Sequence, residues 1–398
     1  MKPNAILFLI LILLLLFYLL WEYIFHQRNV NRFEFRIHVN GTRGKSSVTR
    51  LIRAGLAEGG FSVFAKTTGS MARMILPNGS EISVERFGKP TILEQLKVLK
   101  TAAKTKANAI VIECMALEPK YQWASENQMI QSNIGVITNI REDHLDIMGP
   151  KISDVAKAIA STVPLSGKLF ILSTPFREFF QKVCKERKSK CIEVFDSNPS
   201  LIQDSDLSEF SYIEHRENLI LALTVCESLG VPYKIALAGM KKMNPDPGAL
   251  TITKVHFFGK QFSFVNAMAA NDPNSTSIIW KNYIEKSEKY SDPKYIFFVM
   301  REDRPERTKQ LLEEISTWQN VNGIILVGPG SNLNYSILEK KSNSAIPVYV
   351  WEHRSPDQIF ESLISILPET SIIFGMGNIV GLGFELLQYI KNRAESKA

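Results

Sequence analysis

The chain has 398 residues, of which 45% are hydrophobic and 22% are charged. This composition excludes a disordered or fibrous chain and is sufficient for two soluble domains of ordinary size. The formal net charge of +7 suits an anionic lipid surface or an acidic substrate. The lysines and arginines are scattered rather than gathered with aromatic residues into a basic patch, so we expect no nucleic acid among the partners.

The first predicted element is a transmembrane helix over residues 4–25. Residues 5–21 carry no charge, and the apolar run approaches the roughly 20 residues that cross a bilayer as a helix. A cleaved signal peptide is the alternative, but its apolar region is usually about 7 to 15 residues long and ends in a small-x-small site. Here the run ends in Trp21-Glu22-Tyr23-Ile24-Phe25, which favours an uncleaved anchor.

The charges that flank the anchor predict its orientation. Arg28, Arg32 and Arg36 follow it, whereas Lys2 alone precedes it. Because positive residues collect on the cytoplasmic side, we expect a single-pass protein of the cell membrane with its catalytic domains in the cytoplasm. The four cysteines show neither zinc-type spacing nor a disulfide-rich context, which agrees with a reducing compartment.

After the anchor, predicted strands and helices alternate, which is typical of an α/β fold with a doubly wound, mostly parallel sheet. The turn-rich segment 244–249 cannot continue a helix, so we expect a central domain at 33–245 and a smaller, Rossmann-like C-terminal domain at 246–398. In the central domain we expect strands at Phe35–Val39, Ser62–Ala65, Ala109–Ile112, Ile134–Thr138 and Lys168–Leu172, and helices at Ser47–Glu58, Ile92–Thr105, Ile152–Thr162 and Asn218–Leu229. In the C-terminal domain we expect strands at Gln261–Asn266, Tyr295–Met300, Gly323–Val327, Val348–Trp351 and Ser371–Phe374, and helices at Ser275–Lys286, Thr308–Thr317 and Pro356–Leu367.

The loop Asn40-Gly41-Thr42-Arg43-Gly44-Lys45-Ser46-Ser47 joins the first of these strands to a helix. Glycines let backbone N–H groups close around phosphate oxygens, the helix N-terminus adds partial positive charge, Lys45 reaches the β- and γ-phosphates, and Ser46 can hold Mg²⁺. A full Walker A motif has glycine where Val39 stands, so this is a shortened form. The alternative is a glycine-rich turn without a ligand, which leaves the Lys45-Ser46 pair without a structural role.

Three further polar clusters follow predicted strands. Glu113 ends the strand Ala109–Ile112 at the carboxyl edge of the sheet, where doubly wound folds bind ligands, and it is either a Mg²⁺ ligand or a structural partner of a lysine. His144 lies between Asp143 and Asp146, so it could bind a metal while a carboxylate fixes its tautomer. The third cluster is Lys66-Thr67-Thr68-Gly69-Ser70, which taken alone is a polar turn.

Other motifs lie farther along the chain. They are Ala72-Arg73-Met74, Glu113-Cys114-Met115-Ala116, Thr138-Asn139-Ile140, Glu142-Asp143-His144-Leu145-Asp146, His215-x-x-Asn218, Pro245-Asp246-Pro247-Gly248-Ala249, Asn266-Ala267-Met268-Ala269-Ala270-Asn271 and Phe374-Gly375-Met376-Gly377-Asn378-Ile379. Together with the loop 40–47 and Lys66-Thr67-Thr68-Gly69, they resemble the Mur ligase superfamily, which includes the peptidoglycan amino-acid ligases and folylpolyglutamate synthase. Within it, the chain is most similar to the ligase subunits of poly-γ-glutamate synthases, which are membrane-anchored.

The resemblance implies ATP and two Mg²⁺ ions as cofactors. Ser46, Thr68 and Glu113 would hold one ion, and His144 the other. Lys45 and Arg43 would neutralise charge between the phosphoryl donor and a substrate carboxylate. The nucleotide would contact Gly41, Thr42, Gly44, Lys45, Ser46, Ser47, Asn139, Asn218 and Asn271.

Two positions depart from the family pattern. Many relatives carry a carbamylated lysine where this chain has Ile159, and Lys157 is the nearest lysine. Either Lys157 takes its place or the second metal is held without a carbamate. Relatives often have Pro-Gly-Arg between the domains, whereas Pro247-Gly248-Ala249 stands here, so the nucleotide contact of that arginine is in question.

Polar residues also follow strands of the C-terminal domain. Asn271-Asp272 follows the strand that ends at Asn266, and Arg301-Glu302-Asp303-Arg304 follows Tyr295–Met300. Both lie where a substrate or nucleotide could be met. For the second group, a solvated charged loop is the alternative.

Most peptidoglycan ligases of this superfamily have an N-terminal domain for a UDP-linked precursor, and the short stretch after the anchor leaves no room for one. We therefore expect an ADP-forming, ATP-dependent amide ligase that adds glutamate to a growing poly-γ-glutamyl chain at the membrane, with other membrane subunits as partners. Two alternatives stay open. One is a glutamate ligase with a folate-like acceptor, and the other is a membrane-anchored P-loop ATPase that serves polymer export.

Overall fold

The computed structural model describes residues 3–69, 71–86, 88, 90–195, 202–246, 248–270, 273–285, 292–300, 305–341 and 346–394. The chain divides into two compact units. Unit 1 comprises Met1–Phe210 and Glu214–Asn244, and unit 2 comprises Ser211–Ile213 and Pro245–Ala398. The predicted features at Ser70, Pro247, Asn271-Asp272, Lys286 and 301–304 lie outside the described residues.

The first helix, α1, spans Pro3–Val30. Within it, Ile6–Val30 is long and apolar enough to cross a membrane, and the window that qualifies is fully exposed. Exposed leucine, isoleucine and phenylalanine side chains in this number are unusual on a water-soluble surface. At its foot, however, Val30 and Phe33 are buried in the core of unit 1.

Unit 1 is built on an eight-stranded sheet in the order β4-β3-β2-β5-β1-β6-β7-β8. The five strands β2, β5, β1, β6 and β7 pair in parallel, as does β8 with β7, whereas β3 and β4 are antiparallel additions. The strands are β1 Phe35–Asn40, β2 Val63–Thr67, β3 Arg73–Ile75, β4 Glu81–Ser83, β5 Ala109–Glu113, β6 Ile134–Ile137, β7 Lys168–Leu172 and β8 Lys190–Val194.

The helices of unit 1 alternate with its strands along the chain. They are α2 Lys45–Glu58, α3 Glu94–Ala102, α4 Pro119–Ala124, α5 Leu145–Met148, α6 Ile152–Ala160, α7 Arg177–Glu186, α8 Asp204–Ser208, α9 Arg216–Ser228 and α10 Tyr233–Lys241, with a π-helical turn at Ser125–Ile130 after α4. The central strands β2, β5 and β6 are buried at every position, because helices cover both faces of a parallel sheet.

Unit 2 contains a six-stranded sheet in the order β13-β12-β11-β14-β10-β9, parallel except for β9. The strands are β9 Thr251–Phe257, β10 Lys260–Asn266, β11 Lys294–Val299, β12 Gly323–Val327, β13 Val348–Trp351 and β14 Thr370–Gly377, and the helices are α11 Pro273–Trp280, α12 Pro305–Ile315, α13 Ser331–Lys341, α14 Pro356–Ile366 and α15 Leu382–Lys391. The tight turn between β9 and β10 places Phe258 and Gly259 at φ 46° and 73°, which is typical of a two-residue hairpin.

The predicted α/β fold with parallel sheets is confirmed, and some element bounds differ. The helix predicted at Ile92–Thr105 is regular only from Glu94 to Ala102. The helix predicted from Ser275 begins at Pro273 and changes to a π-helical turn at Lys281–Glu285.

Candidate active site

The loop between β1 and α2 has a backbone that only glycine accommodates at two points. Gly41 has φ 131°, and a Cβ there would lie 2.1 Å from Thr138 Oγ1. Gly44 has φ 80°, and a Cβ there would lie 2.6 Å from Asn218 Oδ1. Positive φ and the lack of space both require glycine. The predicted order of strand, glycine loop and helix is observed, and phosphate binding by the loop stays a prediction.

Asn139, which follows β6, holds this loop in place. Its Oδ1 accepts hydrogen bonds from Thr42 Oγ1 at 2.6 Å and from the Arg43 amide at 3.0 Å. Its Nδ2 donates to the Arg43 carbonyl at 3.1 Å, which also accepts a bond of 2.6 Å from Thr138 Oγ1. The predicted nucleotide contact of Asn139 is not tested, and in this structure its side chain positions the loop.

Glu113 joins the loop to the neighbouring strand end. One oxygen of its carboxylate, Oε2, accepts a hydrogen bond of 2.8 Å from Ser46 Oγ and one of 2.5 Å from the Thr68 amide. Glu113 is buried, and a buried carboxylate needs such donors. The structure therefore brings together three of the predicted metal ligands, although Thr68 contributes its backbone N–H to this contact.

The donor set at Glu113 fits a magnesium ion. A serine hydroxyl and a carboxylate are hard oxygen ligands, and Mg²⁺ is usually bound by one or two carboxylates together with water and substrate phosphates. Over the described ranges, no three His, Cys, Asp or Glu side chains converge into a preformed metal cluster. This site would thus hold Mg²⁺ together with a nucleotide rather than as a closed protein cage.

Lys45 begins α2 and folds back over the loop. Its Nζ donates to the carbonyl oxygens of Gly41 at 2.8 Å and Thr42 at 3.2 Å. Ser47 lies in the same first helical turn. The ammonium group and the helix N-terminus place positive charge at the mouth of the glycine loop, which is the arrangement that favours an anion.

Arg43 and His144 meet at Asp143. Arg43 Nη2 lies 3.6 Å from Asp143 Oδ1, and His144 Nε2 lies 3.7 Å from the same oxygen. His144 has φ 47° and begins the short helix α5, and about a third of its side chain is exposed. The three side chains are close enough to act on one substrate, but the role of His144 as a metal ligand stays a prediction.

Asn218 is buried in the first turn of α9, behind the loop. Its Nδ2 donates a hydrogen bond of 2.9 Å to Glu214 Oε1, and its Oδ1 lies next to Gly44. This contact explains the spacing of the His215-x-x-Asn218 motif, because His215 stands just before the helix and Asn218 one turn later.

Lys66 is fully buried at the end of β2. Its Nζ lies 3.0 Å from Glu94 Oε1, and Glu94 also pairs with Arg86 at 2.7 Å. Burial lowers the pKa of Lys66, and the charges of Glu94 and Glu113 oppose that shift. Burial raises the pKa of Glu94, but the bonds to Arg86 and Lys66 outweigh it and the pKa is lowered. The cation of the Lys66-Thr67-Thr68-Gly69 motif therefore stabilises the strand end beneath Glu113.

Two cavities open near these residues. One, of about 550 Å³, lies beside Asn139 and Arg141 and is lined further by Ser173, Thr174 and Arg216. The other, of about 1070 Å³, is lined by Met115 and Leu117 after β5, by Asp146, and by the partly exposed side chains of Leu93 and Tyr121. Both lie at the carboxyl edge of the sheet, where ligands of doubly wound folds are bound.

The position at which many relatives carry a carbamylated lysine is taken here by Ile159, a residue of the hydrophobic core. Ile159, in α6, is fully buried in one hydrophobic cluster with Ile137 and Leu169, whereas Lys157 is 66% exposed and pairs with Asp154 at 2.9 Å. Among the described residues, the contact recorded for the Lys157 ammonium is therefore with its neighbour on the same helix.

Two glycines of β14 are explained by packing. A Cβ on Gly375 would lie 2.5 Å from Phe264 Cζ, and one on Gly377 would lie 2.3 Å from the Val299 carbonyl. At the linker, Gly248 N donates to Asp246 Oδ1 at 2.9 Å, and the Ala249 carbonyl accepts a bond of 3.2 Å from Asn266 Nδ2. Asn266 is buried, so its motif has a structural role within unit 2.

One buried polar cluster was not predicted from the sequence. His38 in β1 lies 2.7 Å from Glu126 Oε2, and Glu126 Oε1 accepts two bonds from Ser132. Burial alone would lower the pKa of His38, but hydrogen bonds and charges of Cys114 and Glu126 raise it to about 9. The one available signal is a histidine between the apolar residues Ile37 and Val39, two residues before the loop.

Comparisons with known proteins identify the family of this chain. The Mur ligase middle domain family matches residues 39–270, and the poly-gamma-glutamate synthase CapB C-terminal domain family matches residues 252–393. The chain is 37% identical to the PGA synthase CapB of Bacillus subtilis, over 92% of both proteins. It is 36% identical to the capsule biosynthesis protein CapB of Bacillus anthracis, over 94% of this chain and 80% of that protein.

A solved structure supports the fold. The bifunctional folylpolyglutamate synthase/dihydrofolate synthase of Yersinia pestis, complexed with AMPPNP and a Mn ion, superposes with a TM-score of 0.66 at 14% identity, covering 93% of this chain and 91% of that one. By its matched domains and its relatives, the chain belongs to the Mur ligase family, in the group that carries the CapB C-terminal domain.

Proposed function

We propose that this protein is an ATP-dependent amide ligase that extends poly-γ-glutamate at the cytoplasmic face of the cell membrane. The observation that carries the proposal is the sharing of one Glu113 oxygen between Ser46 of the phosphate loop and the Thr68 amide. This contact belongs to a chain whose C-terminal part matches the CapB C-terminal domain family. A phosphate loop alone serves many reactions, and the second domain of this family restricts the choice to ligases.

The first step transfers the γ-phosphoryl group of ATP to the terminal carboxylate of the acceptor chain. A carboxylate oxygen attacks phosphorus, ADP leaves, and an acyl phosphate forms. Lys45 and the N-terminus of α2 bind the phosphates, and Arg43 neutralises charge on the acceptor carboxylate. A bound Mg²⁺, held by Ser46 and Glu113, would polarise the phosphoryl oxygens and reduce repulsion between the two anions.

The second step forms the amide. The amine of an incoming glutamate attacks the acyl carbon, the bond to the phosphate oxygen breaks, and inorganic phosphate and a proton are released. Asp143 holds His144 and Arg43 beside the loop, so these side chains orient the reacting groups. Positioning and charge neutralisation supply most of the rate enhancement in such a transfer.

The cavities suit the two substrates. The one beside Asn139 and Arg141, about 550 Å³, has polar side chains and a size that accepts a nucleoside. The larger one begins just after β5, next to Glu113, and would admit the acceptor end. We place a second metal ion at His144, held without a lysine carbamate because Ile159 is buried core.

The anchor fixes the enzyme at the membrane. Helix α1 has the length and composition of a bilayer span, and Arg28, Arg32 and Arg36 favour a cytoplasmic location for the domains that follow. ATP and glutamate are available there, and other membrane subunits would receive the polymer.

The test is phosphate release by the full-length protein in lipid nanodiscs, with ATP and Mg²⁺ and with L-glutamate, D-glutamate or other amino acids added in turn. We expect release that depends on glutamate and a product ladder spaced by one glutamyl residue in mass spectra. Lys45→Ala should abolish both, while Lys185→Ala, at an exposed position of α7, should leave both unchanged. Release without any amino acid and without a ladder would favour an ATPase and contradict the proposal.

A further inference from the structure

The C-terminal end of the anchor helix is packed against unit 1. Val30, its last residue, and Phe33 are buried in one hydrophobic cluster with Val98 and Leu99 of α3. Arg32 Nη1 also donates a hydrogen bond of 2.7 Å to the carbonyl oxygen directly after α3. The foot of α1 and the helix α3 therefore form one packed body within unit 1.

The outer side of α3 carries exposed lysines. Lys97, Lys100 and Lys104 are all exposed, and their spacing of three and four residues puts them on one side of the helix and of the turn that continues it. The other side of α3 packs into the core. We call these three residues the lysine stripe.

The lysine stripe lies level with the end of the apolar span. Lys100 Nζ is 5.8 Å from the centre of the Phe25 ring, and that ring stacks on Trp21 with centroids 5.7 Å apart. Tyr18 lies one turn earlier, 6.4 Å from Trp21. Aromatic residues of this kind collect at the membrane–water interface, so Lys100 is at headgroup depth when α1 spans a bilayer.

We propose that the lysine stripe binds anionic phospholipid headgroups and so holds the outer side of α3 against the bilayer. The proposal depends on the membrane anchoring proposed above and not on the ligase chemistry. Cations near the end of a transmembrane helix are attracted to anionic lipid, and the attraction adds with each lysine. Because the anchor foot is packed into unit 1, this contact sets the orientation of the whole sheet.

The orientation has a consequence for the active site. Strand β1 begins close to the anchor foot and leads to the phosphate loop, and its six residues extend about 20 Å at 3.3 Å per residue. The carboxyl edge, with Glu113 and the loop, is thus at the far end of β1 from the anchor foot. The stripe follows α3 from Lys97, close to Gln95, whose side chain donates a hydrogen bond of 3.4 Å to the Glu113 carbonyl, towards the anchor foot, where Arg32 bonds to the Ala103 carbonyl. The position of Lys100 beside Phe25 therefore favours lipid over the polyanionic product as the partner of the stripe.

The experiment measures hydrogen–deuterium exchange of residues 93–106 in the full-length protein, in nanodiscs of phosphatidylcholine alone or with about 30 mol % phosphatidylglycerol. We expect exchange to slow by roughly threefold or more in the anionic discs. The difference should disappear at about 0.5 M salt, because salt screens exposed charges.

Two charge variants make the result specific. Lys97→Gln/Lys100→Gln/Lys104→Gln should remove the difference between the two lipids. The control Lys182→Gln/Lys185→Gln/Lys188→Gln, which removes the same charge from exposed positions on α7 and in the turn that follows it, should retain it. Equal exchange of the unmodified protein in both lipids would overturn the proposal, as would equal protection by poly-γ-glutamate added to the neutral discs. Hydrogen–deuterium exchange is measured without turnover, so a failed ligase assay does not affect this result. Equal exchange in both lipids together with a working ligase would refute only the lipid contact.

Discussion

Ser46 Oγ and Glu113 Oε2 are 2.8 Å apart although 67 positions separate the two residues in the chain. The contact exists because only the short loop 41–44 separates β1 from α2, and β1 pairs in parallel with β5, which ends at Glu113. Two neighbouring strands thus deliver a hydroxyl and a carboxylate to one point. Such a pair binds Mg²⁺ most effectively when phosphate completes the coordination.

Replacement of Glu113 by glutamine should lower glutamate-dependent phosphate release by about 100-fold or more, because the amide retains the shape but lacks the charge that attracts the metal. The assay compares turnover across a range of Mg²⁺ concentrations. Glu186→Gln, at an exposed position of α7, is the control and should behave as the parent. Full activity of the Glu113 variant at low Mg²⁺ would refute its role as a metal ligand.

The phosphate loop was predictable because its chemistry is local. Gly41, Gly44 and Lys45 are read directly from spacing, and positive φ at glycine is a property of single residues. The strand ends at Glu113 and Thr68 were also predictable, since apolar runs mark buried parallel strands. That they meet was expected from the resemblance to the Mur ligase superfamily, and the structure explains it, because carboxyl ends of parallel strands lie at one edge.

Other features depend on tertiary packing that the sequence does not display. Glu126 pairs with His38 from a π-helical turn 88 positions away, and nothing local distinguishes it from a surface glutamate. The strands β3 and β4 have three residues each, too few for a periodic pattern. The predicted anchor ends at Phe25, whereas α1 continues to Val30, which is core together with Phe33, because their burial is decided by α3.

Substitution of Gly41 by alanine should both destabilise the fold and abolish activity. The new Cβ would lie 2.1 Å from Thr138 Oγ1 in addition to the strain of φ 131°, so we expect a loss of about 2 to 4 kcal/mol in the free energy of unfolding. Gly60→Ala is a matched control, since Gly60 has φ 92° with no atom within 4 Å of the added carbon. It should cost about 1 kcal/mol. Urea denaturation measures both, and equal losses would argue against the steric part of this explanation.

His144 should be essential for turnover and dispensable for stability. Because about a third of its side chain is exposed, its removal leaves no cavity in the core. We expect His144→Ala to reduce ligation by about 100-fold or more with little change in melting temperature. His144→Asn is the second variant, since asparagine tolerates the positive φ of this position better than alanine does.

A control at another exposed histidine tests whether the effect is specific to His144. His353→Ala, at an exposed position of unit 2, should leave ligation unchanged. Near-normal turnover in both His144 variants would remove the residue from the active site.

The buried pair of His38 and Glu126 should make stability depend on pH. Burial acts to lower the pKa of His38, but bonding to Cys114 and Glu126 outweighs it and the pKa is about 9, compared with about 6.5 in the unfolded chain. The folded state therefore binds a proton that the unfolded state releases. The resulting stabilisation is complete below pH 6.5 and is lost as pH rises through about 9. The stabilisation amounts to about 3 kcal/mol.

Melting curves between pH 6 and 10 should show this decline in the parent protein. His38→Gln should flatten the decline, whereas His256→Gln at an exposed position of β9 should not. An unchanged slope in the His38 variant would mean that other groups titrate on unfolding and that the imidazole at the base of the phosphate loop is neutral.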